Sequence, residues 1–450
     1  MQADRQRQAG GKIVKPIQSA LIAICLVVAG CAEREVLLPG ERTDLRAAVG
    51  LAEAGEVQNQ ARPIGLAPQT NHSEWTHRAG SASHTIQHPS LSAAPAPFWQ
   101  ASIGSGNDRK HRITADPVSA GGLIFTLDSR ATVTATSAGG GTVWSRDLTP
   151  LTDRADDASG GGLAVVAGQL FVTTGFGGLF SLNAVDGSEQ WRQRLEAPAT
   201  GAPTVASGTV YVVTRDSRGW AIDASNGRVR WQVQGTPSVT GVVGGASPAV
   251  GGRVVVFPLA SAEVLAALPK GGLQVWNSVV AGSRLGRAYA NVNDITGDPV
   301  IIGNTIYTGT PSGRTAALDA ADGTAIWTVG EGAVSPMLVD GGSVFLVTDK
   351  SRLLRLDAAT GETIWSVGLP YFVPARNERR IRDVFAHYGP VLAGGRLWVA
   401  SGDGQLRGFD PVSGGLVATV AMGAPAATRP IVVNGTLYLV GQNGQLLAFR

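Results

Sequence analysis

The chain has 450 residues, with 37 Lys and Arg against 34 Asp and Glu. Residues 1–16 hold Arg5, Arg7, Lys12 and Lys15 against Asp4, so 33 charges of each sign lie beyond them, which argues against nucleic-acid binding through a basic surface. Sixty Gly and 24 Pro exclude an architecture of long helices, and both cysteines fall within the first 31 residues, so the rest has no disulfide, zinc–thiolate site or Cys nucleophile.

The first element in chain order is the apolar run 17–29 (IQSALIAICLVVA), shorter than the roughly 20 residues of a membrane-spanning helix. Small residues then lead into a cysteine, Ala29-Gly30-Cys31. A basic start, a short apolar run and small residues before Cys resemble a bacterial lipobox. That resemblance implies a signal peptide over 1–30, a lipid on Cys31 and, because Ala32 rather than Asp follows, residence at the outer membrane. Residues 31–97 show no sustained periodicity, and 90–97 (SLSAAPAP) has the composition of an extended or flexible linker. A short helix over 43–56 is expected, but the segment as a whole reads as a tether. His84 and His88 have metal-ligand spacing on a helix, but Pro89 and the Ser-rich surroundings argue against one. The four histidines of this segment, His72, His77, His84 and His88, are therefore expected in solvent.

From Phe98 onward the chain repeats, and the repeat decides the fold. One pattern occurs eight times: Gly or Asn, any residue, an aliphatic, then usually an aromatic, from Gly122-Leu-Ile-Phe125 to Gly435-Thr-Leu-Tyr438. Seven copies follow a proline by four to six residues: Pro117, Pro203, Pro248, Pro299, Pro336, Pro390 and Pro430. A proline opening a short strand, a tight turn and a second strand account for the spacing. The second pattern is Asp-x-x-x-Gly-x-x-x-Trp, complete at Asp223-Gly227-Trp231, Asp319-Gly323-Trp327 and Asp357-Gly361-Trp365. Trp144, Trp191 and Trp276 close shortened or substituted copies, and the last copy has Ala418 in place of Trp. The Asp caps its own turn, and each Trp is expected to wedge against the neighbouring repeat. Trp99 begins the series as an outer strand with nothing before it, whereas the last hairpin lacks an outer strand. Joining the two ends closes a ring. The reading is all-β: an eight-bladed β-propeller over 98–450, about 44 residues per blade.

The copy Ala317 to Trp327 resembles the repeat of propellers related to pyrroloquinoline quinone (PQQ) enzymes. Two branches of that superfamily compete. The quinoprotein dehydrogenases use an adjacent Cys pair and a calcium-binding set of Glu, Asn and Asp, and the region beyond Cys31 has no Cys. The other branch is the outer-membrane protein assembly factor B (BamB) family, lipoproteins of similar length that dock on the periplasmic domains of the assembly pore, BamA. Asn71 and Trp75 match an Asn-x-x-x-Trp segment that precedes the propeller in some members. The resemblance implies a non-enzymatic scaffold of the β-barrel assembly (BAM) complex, without cofactor or metal. It would be anchored by lipid at the periplasmic face of the outer membrane, with BamA, other BAM lipoproteins and unfolded outer-membrane proteins as partners. The family's Asp-x-Asp loop before a strand-starting Pro corresponds here to Asp294 and Thr296, a departure at the second position, and a family Arg falls near Val243. A divergent quinoprotein dehydrogenase and a ligand-binding propeller are the alternatives.

Three other features complete the reading. The long insertion 369–389 carries Arg376, Arg379, Arg380 and Arg382 beside Tyr371, Phe372 and Phe385, a composition suited to a protein contact. Asp128, Asp216 and Asp349 follow strands and are expected as turn caps. Gly104-Ser-Gly106 and Gly139-Gly-Gly141 lack the following helix that a phosphate cradle needs.

Overall fold

The computed structural model describes residues 58–450 apart from 239–240, 243, 285–287 and 376–382. The signal segment, Cys31, the helix expected over 43–56, Val243 and all four arginines of the 369–389 insertion lie outside the described residues. The described chain forms eight four-stranded antiparallel sheets, the eight blades expected. Blades 1–7 span 118–147, 161–194, 204–234, 249–279, 297–329, 338–368 and 387–421. Blade 8 takes three strands from 431–449 and its outer strand, Pro97–Ser102, from the other end of the ring. Ala96 and Arg450 exchange two backbone hydrogen bonds of 2.9 Å at that closure.

Burial follows strand position. Second strands such as Thr209–Thr214 are buried at every residue, because a neighbouring blade covers each face. Outer strands such as Glu189–Arg194 alternate half-buried with exposed. The ladder between third and outer strand slips by one residue just before the Trp. In blade 3, Ala221 pairs with Trp231 but Ile222 pairs with Val229, leaving Arg230 bulged. The same slip recurs in the other blades and turns the indole toward the next blade.

Each Trp of one blade lies flat on the turn glycine of the next. A Cβ on Gly227 would meet the Trp191 ring at 2.6 Å, and one on Gly361 the Trp327 ring at 2.8 Å. These glycines have φ between 70° and 88°, where a side chain is strained as well as unaccommodated. The indole nitrogen then donates to the turn: Trp191 to Ala224 O at 2.9 Å, Trp327 to Ala358 O at 2.9 Å, Trp365 to Pro411 O at 3.2 Å. Seven seams are built this way, from Trp99 on Gly140 to Trp365 on Gly414. The eighth seam, between blades 7 and 8, has Ala418. Blade 8 offers no turn there, because its third and outer strands come from opposite ends of the ring. Blade 7 moves its indole inward instead. Trp398 on the second strand is fully buried, in space left by Gly408 and Ala418.

Residues 58–96 are not a free tether. They run around one face of the ring and bond to every blade. Gln60 N donates to Ile364 O of blade 6 (3.0 Å), and Asn434 N of blade 8 to His72 O (2.8 Å). Trp75 and Ser119 of blade 1 exchange two bonds of 2.8 Å, and Val165 N of blade 2 donates to Thr76 O. Val205 N of blade 3 donates to His77 Nε2, and Val250 N and Ile301 N of blades 4 and 5 donate to Ala82 O and Ser83 O. Gly394 N of blade 7 donates to Pro89 O. In blades 1 to 5 these bonds fall on the inner strand, whose edge toward the axis has no neighbouring strand to pair with. The expectation of solvated histidines fails for three of the four. His77, His84 and His88 are 3–4% exposed, each spent on a backbone group of the ring or of the clasp itself.

Candidate partner-binding surface

Antiparallel blades divide their loops between two faces. The turns joining inner to second strands lie on the face the clasp covers. The connectors between blades lie on the opposite face. The axis between them is closed from the clasp side by Arg78. Its Nε meets Asp116 Oδ2 at 3.3 Å, and its Nη1 meets Asp298 Oδ1 at 3.3 Å and Gly245 O at 2.6 Å. Burial opposes the Arg78 charge, but Asp298 and Asp116 outweigh it and hold its pKa above the ordinary value. Burial pushes the Asp116 carboxyl up, against the pull of Arg78 and Arg429. Asp116 Oδ1 accepts the backbone N–H of Arg429 (2.8 Å), and Asp298 Oδ1 that of Ser247 (2.7 Å). Burial lowers the pKa of His84 beside this cluster and drops that of His77 to about 4.

Sequence reasoning missed these four residues, although a signal was present. Asp116, Asp298 and Arg429 each stand immediately before a strand-starting proline. At the same point of other repeats the residue is small and uncharged: Ala202, Ser247, Ser335 and Gly389. Three charged residues at one register of a ring converge on its axis.

Asp294 and Thr296 lie on the connector between blades 4 and 5, and both are buried. Asp294 Oδ2 accepts the Val242 N–H, and Thr296 donates twice, through its hydroxyl to Ala333 O and through its N–H to Gly309 O. Burial pushes the Asp294 carboxyl up to about 6. The two residues join connectors to one another and present no side chain to solvent. Around them the connectors are tied by charge. Arg284 bonds Asp349 (2.9 Å) and Glu331 (3.1 Å), and Tyr289 donates to Asp349 Oδ2 (3.0 Å). Asp349 also accepts the Gly332 N–H (2.9 Å) and so links three loops. Asp128 caps its own turn through Arg130 N and Thr132 N, and Asp216 accepts from Thr214.

The described flanks of the 369–389 insertion pair with each other. Val373 N bonds Asp383 O and Phe385 N bonds Tyr371 O, both at 2.9 Å, and Phe372 pairs with Val384. Phe372 and Val384 are more than half exposed, with Tyr371 packed edge-on against Phe372 at 4.6 Å. Across the same face, the connector after blade 1 carries the fully exposed Leu151 beside an open cleft of about 600 Å³, lined by Arg146, Phe176, Phe180, Arg192 and Arg194. Exposed apolar side chains next to guanidinium groups suit a protein partner better than a small ligand. Among the described residues, no group of three or more His, Cys, Asp or Glu could hold a metal ion.

Comparison with known proteins agrees with this architecture. The family described as outer membrane protein assembly factor BamB matches residues 129–367 and 377–450. The outer membrane protein assembly factor BamB of Yersinia pestis is 24% identical over 363 residues, covering 79% of this chain and 89% of that protein. The BamB of Shewanella oneidensis is 26% identical over 367 residues, covering 78% and 88%. Among solved structures, BamB from Moraxella catarrhalis superposes with a TM-score of 0.62 at 18% identity, over 80% of this chain and 98% of that one. The quinohemoprotein alcohol dehydrogenase of Comamonas testosteroni gives the same TM-score at 17% identity, over 84% and 80%. At these identities the structural likeness speaks for the fold alone.

Proposed function

The chain belongs to the outer membrane protein assembly factor BamB family, and on that premise we propose that it is a non-enzymatic scaffold lipoprotein of the BAM complex. A lipid on Cys31 would hold it at the periplasmic face of the outer membrane. Its connector face would bind the periplasmic domains of BamA, helping to insert outer-membrane proteins. One observation carries the choice of face: the chain's own residues 58–96 cover the opposite face from blade to blade. Among the described residues no such segment covers the connector face, and Phe372 and Val384 are more than half exposed there. Asp294 and Thr296 would support that surface from beneath. The axis supports a scaffold over an enzyme, since Arg78 there is spent on Asp116, Asp298 and the backbone.

Unfolded client strands would add to a blade edge. One such edge already holds chain from outside its blade: the Asn59 side-chain amide bonds the Ser366 backbone, and Gln60 N donates to Ile364 O, on the outer strand of blade 6. Among the open edges, Leu416–Ala421 (LVATVA) of blade 7 carries neither charge nor the large indole, and Leu416 and Val417 are about half exposed. Uncharged apolar edges accept further strands most readily.

The test is affinity purification of the membrane-extracted protein. Near-stoichiometric recovery of a large β-barrel protein with periplasmic repeat domains is expected. Exchanging Arg376, Arg379, Arg380 and Arg382 for Glu, or Phe372 for Asp, should weaken recovery. Full recovery with both changes would remove the hairpin from the contact.

A further inference from the structure

At the seam between clasp and ring, close to the axis, lies a cavity of about 20 Å³. Room of that size holds one water-sized occupant. Its lining includes Trp75, His84 and Thr85 of the clasp, Met337 and Pro390 of the inner ring, and Arg429. Three of those side chains carry buried polar atoms without a partner: Trp75 Nε1, His84 Nε2, and both Nε and Nη1 of Arg429. Trp75, His84 and Arg429 are each no more than 5% exposed. The indole and guanidinium nitrogens are donors only. The guanidinium spends one nitrogen, Nη2, on Pro390 O at 3.2 Å. Arg78 takes both neighbouring carboxylates in ion pairs, while Arg429 makes none among the described residues. A buried guanidinium without a contacting anion is costly, so an acceptor that also carries negative charge is favoured in this place.

We propose that this cavity binds a single monatomic anion of the halide class, held by Arg429 and Trp75 and taken up together with a proton on His84. The proton follows from hydrogen bonding and charge balance. His84 Nδ1 lies 2.8 Å from Pro299 O, so Nδ1 carries the hydrogen and Nε2 of the neutral ring is an acceptor. A neutral His84 therefore suits water, which can donate to it. Protonated His84 offers a further donor and favours the anion. The charged and titratable groups facing His84 are Arg78 and His77 of the clasp, Asp298 of blade 5, and Arg429 before blade 8. Asp116, before blade 1, completes the cluster. Two arginines and two carboxylates sum to zero, and adding a proton with a halide keeps the sum at zero. Polyatomic anions such as sulfate exceed the cavity. The site lies on the covered side of the ring and is independent of the proposed BamA contact.

The test uses the full protein and the halide itself. Melting temperature is compared in sodium chloride, sodium bromide and sodium gluconate at a fixed ionic strength of about 0.15 M, near pH 5.5 and near pH 8. With halide at about ten times its dissociation constant, a rise of roughly 2 °C or more over gluconate is expected near pH 5.5, shrinking near pH 8. Arg429→Met should abolish the halide-specific rise. Should that variant fail to fold, Trp75→Phe, which keeps a ring and removes one donor, should reduce it severalfold. Crystals grown with bromide should show an anomalous peak between Arg429 and Trp75. Equal melting in the three salts at both pH values, or bromide peaks only outside this cavity, would overturn the proposal in favour of an internal water.

Discussion

Replacing Arg78 by Met tests whether the clasp is pinned by charge. In the native protein one guanidinium serves two carboxylates whose side chains are 5% and 0% exposed, and it also bonds Gly245 O. Methionine fills much of the volume but leaves Asp116 and Asp298 without their counter-ion. Breaking a buried pair from one side costs about 3–5 kcal/mol, because the remaining charge keeps its desolvation penalty. The loss has a pH signature. Burial already raises the Asp116 carboxyl, and losing Arg78 removes the strongest opposing influence, so it rises further in the variant. A carboxyl raised on folding binds its proton more tightly folded than unfolded, so its variant gains stability as pH falls through the raised pKa. Each unit of rise is worth about 1.4 kcal/mol. The deficit relative to wild type should therefore be full near pH 8 and much smaller near pH 5. Urea unfolding at both pH values measures it, and limited proteolysis within 58–96 should report earlier cleavage in the variant. Arg78→Lys, which keeps the charge but not the fork, should fall between. A deficit of equal size at the two pH values would refute the argument, since lost packing alone does not depend on pH.

Three further outcomes follow from the seams, the connectors and the edges. Trp327→Ala should cost about 3–5 kcal/mol in urea unfolding, whereas Ala418→Trp should not stabilise, because blade 8 has no turn to receive an indole. Asp294, pushed up to about 6 by burial, contributes most below its ordinary value of 3.8 and loses that contribution as pH rises through 6. Asp294→Asn should therefore flatten the stability profile between those two values, measured by urea midpoints, and an unchanged profile would refute the assignment. Val417→Lys should place a charge on the blade 7 edge, reduce crosslinking to an extended outer-membrane-protein peptide, and leave folding within about 0.5 kcal/mol of wild type.

The repeat was legible because propeller energetics are local in sequence. The turn cap, the positive-φ glycine and the Trp of Asp319-Gly323-Trp327 sit within nine residues, and each has a fixed physical job. Even the missing Trp at Ala418 carried information, since it coincides with the split blade. The axis was less legible. Asp116, Asp298 and Arg429 are far apart in the chain, and only a comparison of one register across the repeats brings them together. Asp294 was legible as a special residue but not as a buried one, because a loop aspartate and a connector aspartate look alike in sequence.

The clasp was illegible for a geometric reason, and its path explains a gap in the ring. A segment that circles an axis gives each blade only a few bonds, mostly through its backbone, so its side chains follow neither the helical nor the strand period. Its side chains instead concentrate where the Trp series fails. Trp75, Leu91 and, just past the closing strand, Ile103 and Ile113 pack in one cluster with Val391, Trp398 and Met422 of blade 7 and Ile431, Tyr438 and Phe449 of blade 8. The clasp also bonds that pair of blades at several points, through His72 to Asn434, Pro89 to Gly394, His88 to Gly395 and Ala96 to Arg450. The seam without an indole is thus the seam the N-terminal segment reinforces most. The same residues close the ring, cover its face and stop its axis, so loosening the clasp should open the blade 7–8 seam before any of the seven seams that hold a Trp.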